Sequence, residues 1–332
     1  LVVLVLGAVL INLVAGLVYH RDPAGIHVFF LLLIVGVCIL LGEGLNDVEQ
    51  SLRHRLPPGV SLLIPVVCAV GVFTSNSSVV DRSEATLPDA YGRQLLRELP
   101  EGAILLTDGD DASYIVDYLH RVEGVRADVQ IYHRMGRGTD LGAEAPTEPQ
   151  RAQARRKIEA SLLRAGRIVH FLVPRMMPAE GFDFLPQGLS YRAVRSEDGV
   201  APLPIATSIR PTQLLSGAWQ GNDPWVDKLA ANCWYMEAEA LRASGDIRAA
   251  IDAYERAART APRSISMNYN VSLNLLQLNE VELATEFANR AMGIDPLRRG
   301  PYKLAAEILS RSGAREAARE GHKRALEWGR IP

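Results

Sequence analysis

The stretch AILLTDGDDASYIVDYLHRVEGVRADVQIYH, residues 103–133, carries the pattern that decides the fold of the central part of the chain. It begins with a short apolar run, 103–108, bounded by turn residues, as expected of a buried strand. Apolar residues then recur at helical spacing over 111–124, and 128–133 has the composition of a second strand. Strand, helix and strand within about 30 residues form a βαβ unit, which predicts a parallel pair joined by a right-handed crossover.

The turn between the first strand and the helix concentrates carboxylates. Asp108, Asp110 and Asp111 follow the carboxyl end of a strand, which is where ligands bind in open parallel sheets. Clustered carboxylates can hold Mg²⁺, Mn²⁺ or Ca²⁺ through oxygen ligands. Asp110 or Asp111 can equally cap the helix and favour its positive N-terminus. The sequence therefore leaves open a helix cap and a ligand or divalent-metal site.

Further elements extend this α/β domain on both sides. Residues 81–99 and 154–166 are predicted helices, 166–174 and 189–194 predicted strands, and 136–150 a polar loop. The glycine-rich nucleotide motifs are absent from the sequence, as are GxSxG and HExxH. No histidine has a partner at ligand spacing. The sequence therefore makes no cofactor evident and points to no catalytic residue.

Three stretches without an acid, Lys or Arg fill most of the first 80 residues: 1–20, 23–42 and 56–80. Each is about as long as the roughly 20 residues that a helix needs to cross a bilayer. A helix that is apolar all round lies in a membrane or deep in a protein core. The pattern predicts three transmembrane helices over residues 1–80, and buried core helices of a large soluble protein are the alternative. Because the chain begins inside the first stretch, we expect these helices to end a larger membrane domain.

The charges between these stretches predict a topology. The second turn carries Arg53 and Arg55, whereas the first turn carries Arg21 alone. The positive-inside rule then places the second turn in the cytoplasm and everything after residue 80 outside. The sequence therefore predicts a multi-pass protein of the cell inner membrane, in contact with membrane lipid, with extracytoplasmic (periplasmic) C-terminal domains.

A repeat of 34 residues marks the C-terminal part of the chain, 221–332. Small or turn-forming residues recur at this interval, as in Gly245, Asn279 and Gly313, and in Ala250 and Ala284. Thirty-four is the tetratricopeptide period, which predicts about three repeats of paired helices that stack into a superhelix. Asn at 279 still tolerates the left-handed conformation that glycine adopts there. Such repeats either present a concave surface to a partner or pack on the α/β domain as a support.

Composition excludes some classes of function. The formal net charge of the 332 residues is −2 at pH 7, and no basic cluster marks a nucleic-acid surface. The three cysteines, Cys38, Cys68 and Cys233, form no CxxC zinc pattern and no disulfide framework. The whole pattern predicts membrane helices over 1–80, an extracytoplasmic α/β domain over 81–220 and all-α repeats over 221–332.

The region around 103–133, together with the apolar segments before it and the repeats after it, resembles a known family. It is similar to the C-terminal half of the bacterial multi-spanning membrane family that is related to the transmembrane protein O-mannosyltransferases. The matching positions are Gly109, Asp110, Asp111, Tyr118, Leu119, Val122, Glu123, Gly124, Arg126, Asp128 and Val129. The sequence departs at 111–114, where the family has an Asn-Asp-Thr-Phe stretch.

The resemblance implies a GT-C-like glycosyltransferase, in which sugar passes from a polyprenyl-phosphate donor to a protein or glycan acceptor. In that family the catalytic carboxylate lies in an outer loop near the N-terminus, so the catalytic residues are expected upstream of Leu1. The outer domain and the repeats are then expected to position the acceptor, with an acceptor protein or peptide on the repeats. A membrane-anchored tetratricopeptide scaffold without activity is the alternative, and a metal-dependent hydrolase using Asp108, Asp110 and Asp111 is a third hypothesis.

Overall fold

The structure, a computed structural model, describes residues 63–80, 86–134, 147–174, 179–198, 223–296 and 298–313, together with single residues between 39 and 51. The chain divides into two compact units, Leu1–Glu84 and Ala85–Pro332. The predicted boundary between the α/β domain and the repeats, near residue 220, lies outside the described residues.

The first unit contains helix α1, Leu63–Val80. Its apolar run covers only 63–73 before the polar stretch TSNSS, so this run is about 16 Å long at 1.5 Å per residue, against a hydrocarbon core of about 30 Å. Among the described residues, no helix combines the length and the apolar character that a membrane crossing requires. This finding corrects the predicted transmembrane fold class and the predicted multi-pass inner-membrane location. The predicted segments 1–20 and 23–42 lie almost entirely outside the described residues.

The second unit combines a sheet with two groups of helices. Its described helices are α2 Leu87–Glu98, α3 Asp110–Arg121, α4 Glu148–Arg164, α5 Pro224–Ser244, α6 Ile247–Thr260, α7 Ile265–Gln277, α8 Val281–Ile294 and α9 Arg299–Arg311. Its strands are β1 Ile104–Thr107, β2 Gln130–His133, β3 Val169–Phe171, β4 Phe182–Gln187 and β5 Ser190–Arg195, and a 3₁₀ turn, Ser196–Asp198, follows β5.

The five strands form one mixed sheet in the order β2-β1-β3-β5-β4. Strand β1 pairs in parallel with both β2 and β3, so β1, α3 and β2 make up the βαβ unit that the sequence predicted. Strand β5 runs antiparallel to β3 and to β4. The sheet is therefore mixed. The sequence predicted the strand direction only in its parallel unit, and the structure shows that β5 is antiparallel to both of its neighbours.

Strand β4 was not predicted from the sequence. Its sequence FDFLPQ contains Pro186, and proline argues against a central strand because it donates no hydrogen bond to the ladder. Among the described strands, β4 lies at the edge of the sheet and pairs only with β5, with Pro186 opposite Tyr191. Proline is tolerated at such an edge when its nitrogen points away from the neighbouring strand.

The sheet is buried beneath tightly packed helices. All four residues of β1 are fully buried, as their continuous apolar run predicts for a central parallel strand. Helices α2 and α3 approach closely at Gly92, where an added Cβ would lie 2.5 Å from the side chain of Ile115 and 2.6 Å from that of Leu119. Glycine at position 92 therefore lets the two helices pack against each other on the sheet.

Helix α5 contributes to two hydrophobic cores. Its residues Leu229, Cys233 and Met236 belong to the core of the sheet, whereas Ala231 and Ala238 belong to the core formed by the later helices. The first helix of the repeat region thus packs on the α/β domain, as the support interpretation of the repeats required. This packing leaves open whether another face of the helices binds a partner.

The later helices recur at the spacing that the sequence showed. Helix α6 begins at Ile247 and α8 at Val281, 34 residues later, and α7 and α9 begin at Ile265 and Arg299 with the same offset. Asn279 has φ 66° in the turn between α7 and α8, so it adopts the left-handed conformation expected there. Assignment of these helices to the tetratricopeptide family stays a prediction, because it rests on the period alone.

The hairpin between β4 and β5 is anchored to helix α2. Its turn has Gly188 at φ 57°, and the Glu98 carboxylate accepts a hydrogen bond from the Leu189 backbone N–H at 2.8 Å. Burial raises the pKa of Glu98, which also accepts a hydrogen bond from Gln94. A Cβ added at Gly188 would collide with this carboxylate.

We expect Gly188→Ala to lower the free energy of unfolding by about 2–4 kcal/mol, through left-handed backbone strain and displacement of Glu98. Gly181→Ala is the control, because Gly181 also has positive φ but an added Cβ would meet nothing within 4 Å. The control should cost only the backbone strain, about 1–2 kcal/mol. Urea unfolding of both variants measures the difference, and equal losses would contradict the role given to Glu98.

His170 makes stability depend on pH. It is fully buried on β3, its Nδ1 lies 2.9 Å from the Ser190 hydroxyl, and burial and then Arg192 lower its pKa from 6.5 to about 4. Between these two values the unfolded chain binds a proton at this imidazole and the folded chain does not. The contribution of the neutral His170 to the free energy of unfolding is therefore complete above about pH 6.5 and is lost as the pH falls towards 4.

We expect the free energy of unfolding to fall by about 3 kcal/mol more in the wild type than in His170→Asn as the pH drops from 7 to 4. Asparagine keeps a polar partner for Ser190 but does not titrate. Urea midpoints at several pH values test the difference, and parallel pH profiles of the two proteins would disprove it.

Candidate functional site: a cleft between the sheet and the helical pairs

The acidic turn lies where the sequence placed it, at the carboxyl end of β1. Asp108 is buried directly after the strand, Asp110 is exposed, and Asp111 is half-buried in the first turn of α3. The β2-β1-β3 order puts this turn where successive connections leave the sheet in opposite directions, the usual ligand position in open sheets. The N-cap of α3 is Gly109, without a side-chain cap hydrogen bond, so the predicted cap by Asp110 or Asp111 is wrong; both carboxylates lie in the first turn, where their charge favours the helix N-terminus.

Arg134 connects the ends of all three parallel strands. It follows β2 and pairs with Glu159 of α4 through two hydrogen bonds of 2.8 and 3.2 Å. Its Nη1 lies 3.7 Å from Asp108 Oδ2 and donates to the Val173 carbonyl after β3 at 3.4 Å. The guanidinium also lies over the Phe171 ring, 5.4 Å from its centroid. This buried ion-pair network occupies the place where the sequence predicted a ligand.

The described residues offer no metal site at this turn or elsewhere. In the part of the chain that the structure describes, no group of three His, Cys, Asp or Glu side chains is placed to hold a metal ion. Asp108 faces Arg134, and Asp110 is exposed on the helix. The divalent-metal interpretation of Asp108, Asp110 and Asp111 therefore receives no support from the geometry.

A hydrogen-bonded chain joins a hydroxyl, an imidazole and a carboxylate beside this network. His133 Nδ1 lies 2.6 Å from Thr107 Oγ1, and its Nε2 lies 2.7 Å from Asp117 Oδ2. Such a chain resembles a nucleophile with its base, but Thr107 is fully buried and no substrate reaches it. We interpret the chain as a structural link between β1, β2 and α3, which sequence spacing did not reveal because its members lie far apart in the chain.

Two residues that carry the family resemblance, Arg126 and Asp128, stabilise the end of α2. Arg126 donates to the backbone carbonyls of Leu96, Leu99 and Pro100 at 2.7, 2.7 and 3.0 Å, and so satisfies the end of α2. Asp128 pairs with Arg126 at 2.8 Å, and this partner lowers the pKa of the Asp128 carboxyl. Arg126 and Asp128 therefore bind the C-terminal end of α2 and do not line a binding site.

A cleft of about 740 Å³ lies between the sheet and the helical pairs. This volume is within the range of sites that bind small ligands. One wall comes from β4, β5 and the segment after β3, and the other from α5 and α7. The lining residues are Leu172, Val173, Pro174, Phe184, Leu185, Pro186, Tyr191, Asn232, Tyr235, Met236, Glu239, Arg242, Ala243, Met267, Asn270, Leu273, Asn274 and Gln277.

Glu239 is the buried charge on the helical wall of the cleft. Its carboxylate accepts hydrogen bonds from Tyr254, from Asn274 at 2.9 Å, and from Arg242 at 3.1 Å. Burial and the proximity of Glu239 raise the pKa of the Tyr235 and Tyr254 hydroxyls. The network ties α5 to α6 and α7 and leaves Arg242 and Glu239 as a neutral pair.

Arg242 Nε is a buried donor in the cleft that has no hydrogen-bond partner among the described residues, whereas the buried Tyr191 hydroxyl lies beside Glu239 and Tyr235. A buried polar group without a partner costs free energy, so Arg242 Nε favours a ligand that supplies a hydrogen-bond acceptor. On α7, the amides of Asn270, Asn274 and Gln277 lie at i, i+4 and i+7, on one face of the helix. That spacing was visible in the sequence, but nothing there indicated which face of the helix would line a cleft.

Comparison with known proteins gives one relation of limited extent. A stretch of 99 residues is 33% identical to the protein O-mannosyl-transferase TMEM260 of Mus musculus. The match covers 29% of this chain and 14% of the mouse protein, so the chain spans only a small part of that relative's length. No protein-family model matches the chain. The similarity indicates a distant relation to a glycosyltransferase.

We expect Glu239→Ala to lower the free energy of unfolding by about 2–3 kcal/mol, because it leaves Tyr254, Asn274 and Arg242 without their shared acceptor. Glu255→Ala is the control, because its ion pair with Arg259 lies at the surface and should contribute about 0.5 kcal/mol or less. Chemical denaturation compares the two, and equal losses would show that the Glu239 network does not hold the helices together.

Proposed function

We propose that this chain is part of a glycosyltransferase and that the cleft between β4 and helices α5 and α7 holds the acceptor, a protein or a glycan. The observation that carries the proposal is the 99-residue similarity to a protein O-mannosyl-transferase. The cleft adds a binding site of suitable size, with amide, hydroxyl and apolar groups side by side. Such a mixture suits a ligand that is hydrogen-bonded but uncharged.

In this proposal the chain positions the acceptor and supplies no catalytic group from its described residues. Two pairs of titratable groups in the α/β core already bond to each other: Arg134 with Glu159, and His133 with Asp117. Holding an acceptor hydroxyl in a fixed place can still account for a large part of a rate enhancement, because it removes translational and rotational freedom before the reaction. A positioning domain therefore contributes to transfer without touching the reacting bond.

We take the sugar donor to be a polyprenyl-phosphate sugar and place it outside the cleft. Of the residues that line the cleft, Arg242 carries the only positive charge, and Glu239 already pairs with it. A phosphate group binds best where several donors or cations converge. The charge balance of the cleft therefore suits the acceptor better than the donor.

A binding scaffold without transferase activity is the second candidate. It is favoured by the way the paired helices and the sheet enclose a cleft while the described residues present no catalytic group there. The two candidates differ in whether the full-length protein transfers sugar at all, so the same assay separates them.

We expect Asn270→Arg to reduce sugar transfer at least tenfold in the full-length protein, because a long charged side chain on α7 would fill the cleft. Asn289→Arg makes the same chemical change at an exposed position on α8 that does not line the cleft, and it should leave transfer unchanged. The assay follows sugar transfer from a polyprenyl-phosphate sugar to acceptor proteins or glycans. Unaltered transfer by Asn270→Arg would refute the role of the cleft, and no transfer by the wild type would favour the scaffold.

A further inference from the structure

Strand β4 has an open edge beside the cleft. In the part of the chain that the structure describes, it is the last strand in the sheet order and pairs only with β5, and its residues Phe184, Leu185 and Pro186 line the cleft. An edge strand carries backbone N–H and C=O groups that can pair with a further chain. The cleft therefore offers backbone hydrogen bonding in addition to its side chains.

The register of the hairpin identifies which backbone groups face the open edge. Gln187 pairs with Ser190 across the two-residue turn, and the Ser196 N–H donates to the Gly181 carbonyl at 3.0 Å. Hydrogen-bonded pairs alternate along an antiparallel ladder, so residues 181, 183, 185 and 187 bond to β5. Phe182, Phe184 and Pro186 then direct their backbone groups away from β5. This register explains why proline is tolerated at position 186, where the missing N–H would point outwards.

These outward groups have no other described partner. Among the described residues, no backbone hydrogen bond reaches Phe182, Phe184 or Pro186 from outside the hairpin. They recur every second residue, about 6.8 Å apart, which is the repeat of an extended chain. From Phe182 to Pro186 the edge is about 14 Å long, enough for four residues of a paired strand.

The opposite wall provides complementary groups along a similar length. Asn270 and Gln277 are exposed on α7, and Asn274 lies between them on the same face. From Asn270 to Gln277 the helix rises about 10.5 Å. The exposed amides of Asn270 and Gln277 can each donate and accept a hydrogen bond, as a peptide group can, whereas the Asn274 amide nitrogen already donates to Tyr235 and Glu239. Both walls can therefore contact the same three or four residues of an extended chain.

The charge balance and an unpaired donor of the cleft favour a neutral ligand that carries carbonyl groups. Glu239 and Arg242 form an ion pair at 3.1 Å, so the wall has no net charge to attract an acidic or basic ligand. Among the described residues, the buried Arg242 Nε has no acceptor. A polypeptide backbone supplies one carbonyl acceptor per residue, and apolar side chains on it can contact Phe184, Leu185 and Met267.

We propose that the cleft binds a neutral, extended polypeptide segment, which adds to the sheet as a sixth strand along the open edge of β4. This inference rests on the proposed function and makes it more specific, because the acceptor is then a polypeptide and its backbone is the recognised part. Binding through the backbone tolerates many sequences while it requires an extended segment without proline at the paired positions. A glycan would satisfy the side chains of the cleft but could not continue the ladder.

The first test uses probes that differ only in their backbone N–H groups. The acetylated and amidated heptapeptide Gly-Thr-Val-Thr-Val-Thr-Gly, N-methylated at alternate residues, keeps one hydrogen-bonding edge and cannot assemble beyond a dimer. We expect it to bind the full chain in isothermal titration calorimetry. The same peptide N-methylated at every residue should bind at least tenfold more weakly, because neither edge can pair with β4. Equal binding of the two peptides would overturn strand addition.

The second test changes the edge of β4 itself. Phe184→Pro removes the outward N–H, and Phe184→Ala removes the same ring while it keeps that N–H. We expect Phe184→Pro to weaken binding of the alternately methylated peptide at least tenfold relative to Phe184→Ala, with circular dichroism showing that both variants fold. Equal affinities would overturn the proposal. Where the proline variant does not fold, the comparison of the two peptides decides alone.

A third measurement separates this inference from the proposed function. Peptide binding without sugar transfer by the full-length protein would support strand addition and refute the glycosyltransferase role. Transfer to the oligosaccharide mannotetraose, with binding of mannotetraose and of neither peptide, would support the glycosyltransferase role and overturn the polypeptide acceptor. Transfer to the threonine-containing peptide that still keeps one hydrogen-bonding edge would support both.

Discussion

Helix α5 is shared by two hydrophobic cores, and the position of everything else in the second unit depends on this. Leu229, Cys233 and Met236 pack on the sheet, while Ala231 and Ala238 pack on the later helices. Asn232 adds a hydrogen bond of 2.8 Å to the hydroxyl of Tyr91 on α2. Because interiors are close-packed, a helix held on two sides cannot shift without disrupting both cores. The cleft beside α5 therefore has walls at a fixed separation.

Two ion-pair networks link several elements of this unit. Arg134 with Glu159 closes the carboxyl end of the parallel strands, and Glu239 with Arg242 lies on the helical wall of the cleft. A buried ion pair adds little net stability compared with apolar packing, but removing one partner is costly. Both networks bond to backbone or side chains from several elements, so they fix the relative positions of those elements. The first occupies the usual ligand position of an open sheet, so the proposed binding site is the cleft instead.

The sequence predicted the elements whose patterns are local. The βαβ unit followed from an apolar run, a helical period and a second run, and the 34-residue period gave the spacing of the later helices. The sequence did not predict β4, because it contains Pro186, and proline is tolerated in a strand only at the edge of a sheet. The prediction of a transmembrane helix at α1 was also wrong, because a run of uncharged polar residues was counted as part of an apolar segment. Absence of charge is a weaker criterion than continuous apolar character.

The candidate site could not be predicted because its members come from distant parts of the chain. Tyr191, Glu239 and Asn274 meet only after the sheet, α5 and α7 have packed together. The acidic turn was conspicuous because its carboxylates are adjacent in sequence, yet Asp108 is directed to Arg134. The residues of the family motif were also easy to find in the sequence, but two of them, Arg126 and Asp128, bind the end of α2. In this structure the two motif residues therefore have a structural role and do not line the cleft.

A rigid sheet edge opposite a helix face would fix the register of a polypeptide bound at the proposed acceptor site. Strand pairing fixes a bound chain in steps of two residues, because a shift by one residue turns its side chains to the opposite side. On the proposed binding mode, every second side chain of the acceptor would therefore face the same direction, whatever its sequence. A hydroxyl on that side would be presented at a defined height along β4, since α5 holds the sheet and α7 at a constant distance. Selection of the modified residue would then depend on its position along the strand and on its hydroxyl, and little on its neighbours.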